Sequence, residues 1–159
     1  MTLTRKESVQ YARNTFLNGK KIKPEYQDFL SEFMGRPDVV AAQYKACAER
    51  GNKAWDYCLE YGLESQKAFC FFFDVVVQNG SMKRIPLPEN YAVLYGKFLK
   101  EMKGDFQFQD DEETKKLCAL IYLRAVKNRW RKDVLRRKGT IAHAEGKVHG
   151  KFHKFEFVA

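Results

Sequence analysis

Phe71-Phe72-Phe73-Asp74-Val75-Val76-Val77-Gln78-Asn79-Gly80 is the stretch whose reading decides the fold. Extended back to Ser65, which follows a turn, the apolar run exceeds ten residues and no alternating polar residues divide it. That predicts a helix, although three successive valines would also suit a strand. A helix that is apolar on most faces belongs in the centre of a bundle, and Asn79-Gly80 supplies its end. Asp74 is the anomaly. An ionised carboxylate in an apolar run is costly unless a cation or several donors meet it. The expected partner is an arginine; otherwise Asp74 forms the floor of a polar cleft.

Outward from this run the pattern stays helical. A first helix is expected from about Arg5 to Leu17. Pro24 opens a second, with Tyr26, Phe29, Leu30 and Phe33 at i, i+3, i+4, i+7 spacing. Gly35 and Pro37 stop and restart the chain. A third helix is expected from about Asp38 to Tyr61, with a break near Gly51 and Gly62 past its end. After the loop marked by Pro86 and Pro88, residues Glu89 to Lys103 place Tyr91, Leu94, Tyr95, Phe98 and Leu99 on one face. Gly104 to Gln109 connects to a long helix opened by Asp110-Asp111-Glu112-Glu113, acids that suit the positive end of its dipole. Leu117, Leu120, Ile121 and Leu123 follow, and the far end is basic through Arg124, Lys127, Arg129, Arg131 and Lys132. Asp133 to Arg137 begins or continues a further helical piece. From about Gly139 to Ala159 glycines, histidines and an alternating end predict a hairpin or extended tail, with Gly146-Lys147 as its turn. The fold class expected is therefore mainly α: a helical bundle around a central apolar helix, with a short extended or hairpin C-terminal tail.

The chain of 159 residues suffices for one domain with a real core. No repeat or low-complexity linker divides it, so residues 1–159 read as a single domain. No apolar run approaches the roughly 20 residues that span a bilayer, and Met1-Thr2-Leu3-Thr4-Arg5-Lys6 lacks the apolar core of a signal peptide. The net charge of +9 predicts attraction to a polyanion: nucleic acid, an anionic membrane face, or a bacterial cell wall with its carboxylates and teichoic acids. Cys47, Cys58, Cys70 and Cys118 form no CxxC pair and lie at no zinc-finger spacing, so they read as small buried thiols. No metal or cofactor is expected.

His143, His149 and His153 invite reading as a metal set, but 149 and 153 have helix spacing in a stretch read as extended and no acidic neighbour is fixed nearby. His149, between Val148 and Gly150, reads as a structural hydrogen-bonding residue. The run Arg124 to Lys138, interleaved with Trp130, would suit phosphate contacts with stacking, but no nucleic-acid motif accompanies it. Nucleotide, zinc-protease and serine-hydrolase motifs are absent. What remains is carboxylate chemistry. Glycosidases place two carboxyl groups across a cleft, and Asp74, Glu7, Glu64 and Asp133 are the candidates here.

Several segments carry a resemblance. Tyr61-Gly62-Leu63-Glu64-Ser65, Phe73-Asp74 through Gly80-Ser81, Trp130-Arg131-Lys132-Asp133-Val134, Arg137-Lys138, Ile141-Ala142 and Gly146-Lys147-Val148-His149-Gly150 together resemble, over about residues 26 to 155, bacterial peptidoglycan-associated, lysozyme-like domains. Such domains are often joined to cell-wall-binding modules or delivered as antibacterial effectors. A more distant resemblance is to the chitosanase branch of the lysozyme-like superfamily. There an Asp on a central helix and two later arginines form an ion-pair network behind the catalytic glutamate. Carried over, Asp74 takes the Asp position, Arg124 the first arginine position, and Arg137 or Arg136 the second. Gln78 and Asn79 end the central helix beside the cleft.

The family segment bearing the catalytic glutamate has no counterpart here. The chain thus resembles the C-terminal half of the family domain, with the rest supplied by a second polypeptide, lost, or cut away; Glu7 is the substitute acid in reach of the sequence. The resemblance implies a muramidase-like glycosidase, or part of one, reaching the cell wall by a dedicated secretion or lysis route. Two alternatives stand beside it. One is a non-catalytic wall-binding or protein-interaction module, with Trp130, Tyr91 and Tyr95 stacking on sugars. The other is a basic nucleic-acid-binding protein.

Overall fold

A computed structural model describes residues 3–82, 85–103, 105–106, 109 and 111–157. The chain divides into two compact units, Met1–Cys47 and Ala48–Ala159.

In the first unit α1 (Arg5–Phe16) begins with a capping box: Glu7 N–H donates to Thr4 Oγ1 at 3.3 Å, and Thr4 N–H donates to Glu7 Oε2 at 2.8 Å. A two-residue hairpin follows, β1 (Leu17–Asn18) with β2 (Lys21–Ile22). Gly19 at φ 62° takes the first position of its turn, where glycine alone is unstrained. The sequence pattern gave no sign of these strands, which are too short to show alternation. α2 (Pro24–Gly35) starts on its proline as expected. Tyr26 and Leu30 are half-buried, whereas Phe29 and Phe33 face outward. Among the described residues of this unit none is fully buried. Cys47, read as a buried thiol, is therefore exposed.

α3 (Pro37–Tyr61) contributes to both units. It runs unbroken through Gly51, since one glycine costs a helix only about 1 kcal/mol. Its last turns insert Ala54 and Cys58 into the core of the second unit. Gly62 at φ 59° follows its end. α4 (Gln66–Asn79) is the decisive run, and it is helical. Ser65 caps it, accepting from Ala68 N–H at 3.1 Å, and Gly80 ends it in the left-handed conformation at φ 74°. α5 (Tyr91–Glu101), α6 (Glu112–Ala125) and α7 (Arg131–Ala142) complete the helices. Of the acidic run expected to open α6, Asp110 lies outside the described residues, and Asp111 caps the helix, accepting from Thr114 N–H at 2.9 Å.

The centre is shared rather than held by α4 alone. α4 buries Ala68, Phe71, Phe72, Val75 and Val76, but α6 buries Thr114, Leu117, Cys118, Ala119, Leu120, Ile121 and Ala125. α6 packs on α5 and α7, and α7 packs on α4.

Two boundaries differ from expectation. The long basic helix is broken at Val126–Trp130, where Asn128 Oδ1 accepts from Trp130 N–H at 2.8 Å and Arg131 N–H donates to Asn128 O at 3.0 Å. A short amide side chain that bonds its own neighbouring backbone favours a turn over a helix. The tail hairpin, β3 (Glu145–Val148) with β4 (Lys151–Lys154), turns at His149-Gly150 and not at Gly146-Lys147. Both turn residues have positive φ, 49° and 80°, as a tight hairpin demands. Gly146 instead sits buried in β3: a Cβ there would lie 2.7 Å from Phe106 and closer still to Thr140 Oγ1. β4 is exposed along its length, Phe152 included.

Candidate functional site

The break between α6 and α7 is what makes the site. It folds α7 back beside α4, and a cleft of about 590 Å³ opens between the C-terminal end of α4, the end of α6, the 126–130 turn and α7. Its polar lining is Gln78 and Asn79 from α4, Arg124 from α6, Lys127 and Asn128 from the turn, and Arg137 and Lys138 from α7. Ile85, Leu123, Val126 and Val134 supply apolar wall. Among the described residues lining it none is acidic.

Asp74 stands behind this lining, and its partner is a lysine. Lys138 Nζ meets Asp74 Oδ2 in an ion pair in which the lysine side chain is 2% exposed and the aspartate 19%. The expected arginine is displaced for a geometric reason. Successive residues of a helix point about 100° apart, so only one of Arg136, Arg137 and Lys138 can face α4 squarely. Arg136 turns away to Asp105 Oδ2 at 3.2 Å and does not line the cleft. Arg137 Nη2 donates to Gln78 Oε1. Gln78 Nε2 in turn donates to Asp74 Oδ1 at 2.5 Å. The result is a chain of four side chains: Lys138, Asp74, Gln78, Arg137.

Arg124 closes the other side. Its Nη2 donates to Ser81 O at 3.1 Å, and its Nη1 lies 3.9 Å from Met82 Sδ. Burial pulls its pKa below the usual arginine range, while the negative charges of nearby groups, Asp74 among them, pull the other way. Burial likewise lowers the pKa of Lys138; Asp74 opposes this, and the like charges of Arg137 and Arg124 add to it. In both, loss of hydration outweighs the charges around the group.

The remaining candidates lie elsewhere. Glu7 is spent in the capping box of α1, and its hydrogen bonds from Thr4 hold its carboxyl below the usual glutamate value. A general acid needs the opposite shift. Glu64 is exposed between α3 and α4. Asp133 sits in the first turn of α7, 3.5 Å from His149 Nε2. Tyr91 donates its hydroxyl to Glu112 Oε2 at 2.7 Å, and Tyr95 is buried with its hydroxyl on Gln109 O, so Tyr95 offers no surface for stacking. Trp130, by contrast, is 63% exposed beside the turn that rims the cleft, with the Arg129 guanidinium 5.0 Å from its ring.

His143 is fully buried against the rings of Phe106, Phe98 and Tyr95. Its Nδ1 accepts from Gln109 N–H at 3.2 Å, which leaves the ring proton on Nε2, 3.5 Å from Cys118 Sγ. Burial lowers its pKa to about 4 and pushes the Cys118 thiol well above its ordinary value. That is a packed structural pair, not a thiolate nucleophile. Among the described residues no three His, Cys, Asp or Glu side chains converge as a metal site would require. No helix among them is long and apolar enough to cross a membrane.

Lys127, Asn128 and Lys138 line the cleft without having been singled out as site residues in the sequence. The signal for Asn128 was its place inside a basic run otherwise rich in helix formers. No family model, curated protein or solved structure matches the chain.

Proposed function

We propose that the chain is a binding module for an acidic glycan, with bacterial peptidoglycan, to which the sequence resemblance points, as its target. The observation that carries this reading is the makeup of the cleft: cations and amides line it, and among the described lining residues there is no carboxyl group. Glycoside hydrolysis asks for two carboxyl groups across the substrate. Asp74, the acid nearest the cleft, is already engaged by Lys138 and Gln78. Amides suit sugar hydroxyl and acetamido groups, guanidinium groups suit carboxylates, and the exposed Trp130 ring suits a sugar face. The site of action in this reading is the cell wall, reached by a dedicated secretion or lysis route.

Co-sedimentation with purified sacculi, read together with release of reducing ends, tests the proposal. The protein is expected to sediment with the sacculi and to release no reducing ends. Release that disappears in a folded Asp74→Asn variant would establish the muramidase reading instead. Failure to sediment at low salt would remove the wall from consideration.

A further inference from the structure

The basic run 124–138 holds eight of the chain's 29 lysines and arginines and a single acid, but the fold does not treat the eight alike. Arg131 is neutralised by Glu101 at 2.7 Å, Arg136 by Asp105 at 3.2 Å, and Lys138 by Asp74. Among the described residues, Arg124, Lys127 and Arg137 have no carboxylate partner, and these three line the cleft together. Their neutral contacts use few of the five donors that each guanidinium carries. Arg137 Nε is buried without a hydrogen bond among the described residues.

From this juxtaposition of Arg124, Lys127 and Arg137 around one cleft we infer an oxyanion pocket, a site that takes a carboxylate or phosphate group of the ligand. Guanidinium forks hold either group through paired N–H donors, and Lys127 adds a point charge. Asn79 and Asn128 flank the position and meet the neutral polar groups that surround the anion in a sugar derivative. Asp74 and Gln78 are positioning residues here. Gln78 aims Arg137, and Asp74 anchors Gln78 and holds Lys138 in its ion pair. The inference rests on the glycan-binding reading and narrows it: an anionic substituent, and not the sugar ring alone, supplies the recognition.

Two-dimensional NMR titration of the full chain with N-acetylmuramic acid, N-acetylglucosamine and inorganic phosphate decides the matter. The first two share the acetamido sugar and differ in the lactyl carboxylate. N-acetylmuramic acid is expected to shift the amides of Gln78, Asn79 and Asn128, with N-acetylglucosamine weaker by tenfold or more. Arg137→Gln, which keeps a donor on a neutral side chain, is expected to lower the N-acetylmuramic acid affinity by at least about tenfold. Equal affinity for the two sugars together with no binding of phosphate, or an Arg137→Gln variant that binds the anionic probe as the wild type does, would overturn the pocket.

Phosphate binding at the same amides, lost in Arg137→Gln, supports the pocket and assigns the natural anion to a phosphate. Sacculi stripped of teichoic acid with hydrofluoric acid should then lose the protein, whereas sacculi with amidated carboxyl groups should lose it if the anion is a carboxylate. If sacculi bind while none of the three probes does, the pocket is wrong and the glycan reading survives. If the probes bind and sacculi do not, the pocket stands and the wall reading fails.

Discussion

His143 shows how a single ring can set the acid limit of this fold. It is buried in neutral form among Phe98, Phe106 and Tyr95, and burial lowers its pKa from 6.5 to about 4. The unfolded chain therefore binds a proton between those values that the folded chain refuses. Stability should be full above pH 6.5 and should fall as pH drops toward 4, by about 3 kcal/mol in total. Urea denaturation at pH 7, 5.5 and 4, with the imidazole titration followed by NMR, checks this. A flat stability across that window would mean that the ring is solvated or already charged. The carboxyls of Glu7 and Glu112, both held below the ordinary value of 4.5, begin to lose their own contribution as pH falls through 4.5, so the interval between pH 6.5 and about 5 reports on the ring. At this same scale the sequence pattern marked Asp74 as in need of a cation but pointed to an arginine, where the structure has Lys138. The choice of Lys138 over Arg136 and Arg137 depends on the phase of α7 relative to α4, a tertiary quantity with no local signature.

The elements were legible where one strong local cause acts. α4 follows from an apolar run longer than a strand and from a glycine stop, and both are present; the Ser65 cap is added by the structure. α2 follows from its proline and from apolar spacing. Where two weak causes compete, the pattern misleads. The helix-forming residues around Asn128 argue for continuation, yet its side chain closes a turn, and the cleft exists only because the turn wins. Gly146 has the look of a turn residue, but close packing explains it. Gly146→Ala is accordingly expected to destabilise the protein by about 1–3 kcal/mol, since Phe106 and Thr140 occupy the space that a methyl group needs. Gly96→Ala in α5 has open space around it and should stabilise by about 0.5–1 kcal/mol. Thermal or urea unfolding of the two variants compares them directly. Similar effects of the same sign would show that backbone freedom, not packing, governs both sites.

For the molecule as a whole, burial is unevenly shared. In the described part of Met1–Cys47 no residue is fully buried, whereas α4 and α6 in Ala48–Ala159 hold a continuous apolar core. Hydrogen exchange followed by mass spectrometry should therefore find the amides of α1 and α2 exchanging within minutes while those of α6 hold for hours. Matching protection in both would mean that the outward-facing Phe29 and Phe33 are covered in solution. The hairpin at the other end of the chain meets a different hazard. Lys151 and Lys154 bracket Phe152 on the outer edge of β4. A second chain that tried to extend that edge would have to strip water from both ammonium groups. The ribbon thus discourages its own propagation into fibres, and concentrated solutions should stay dispersed.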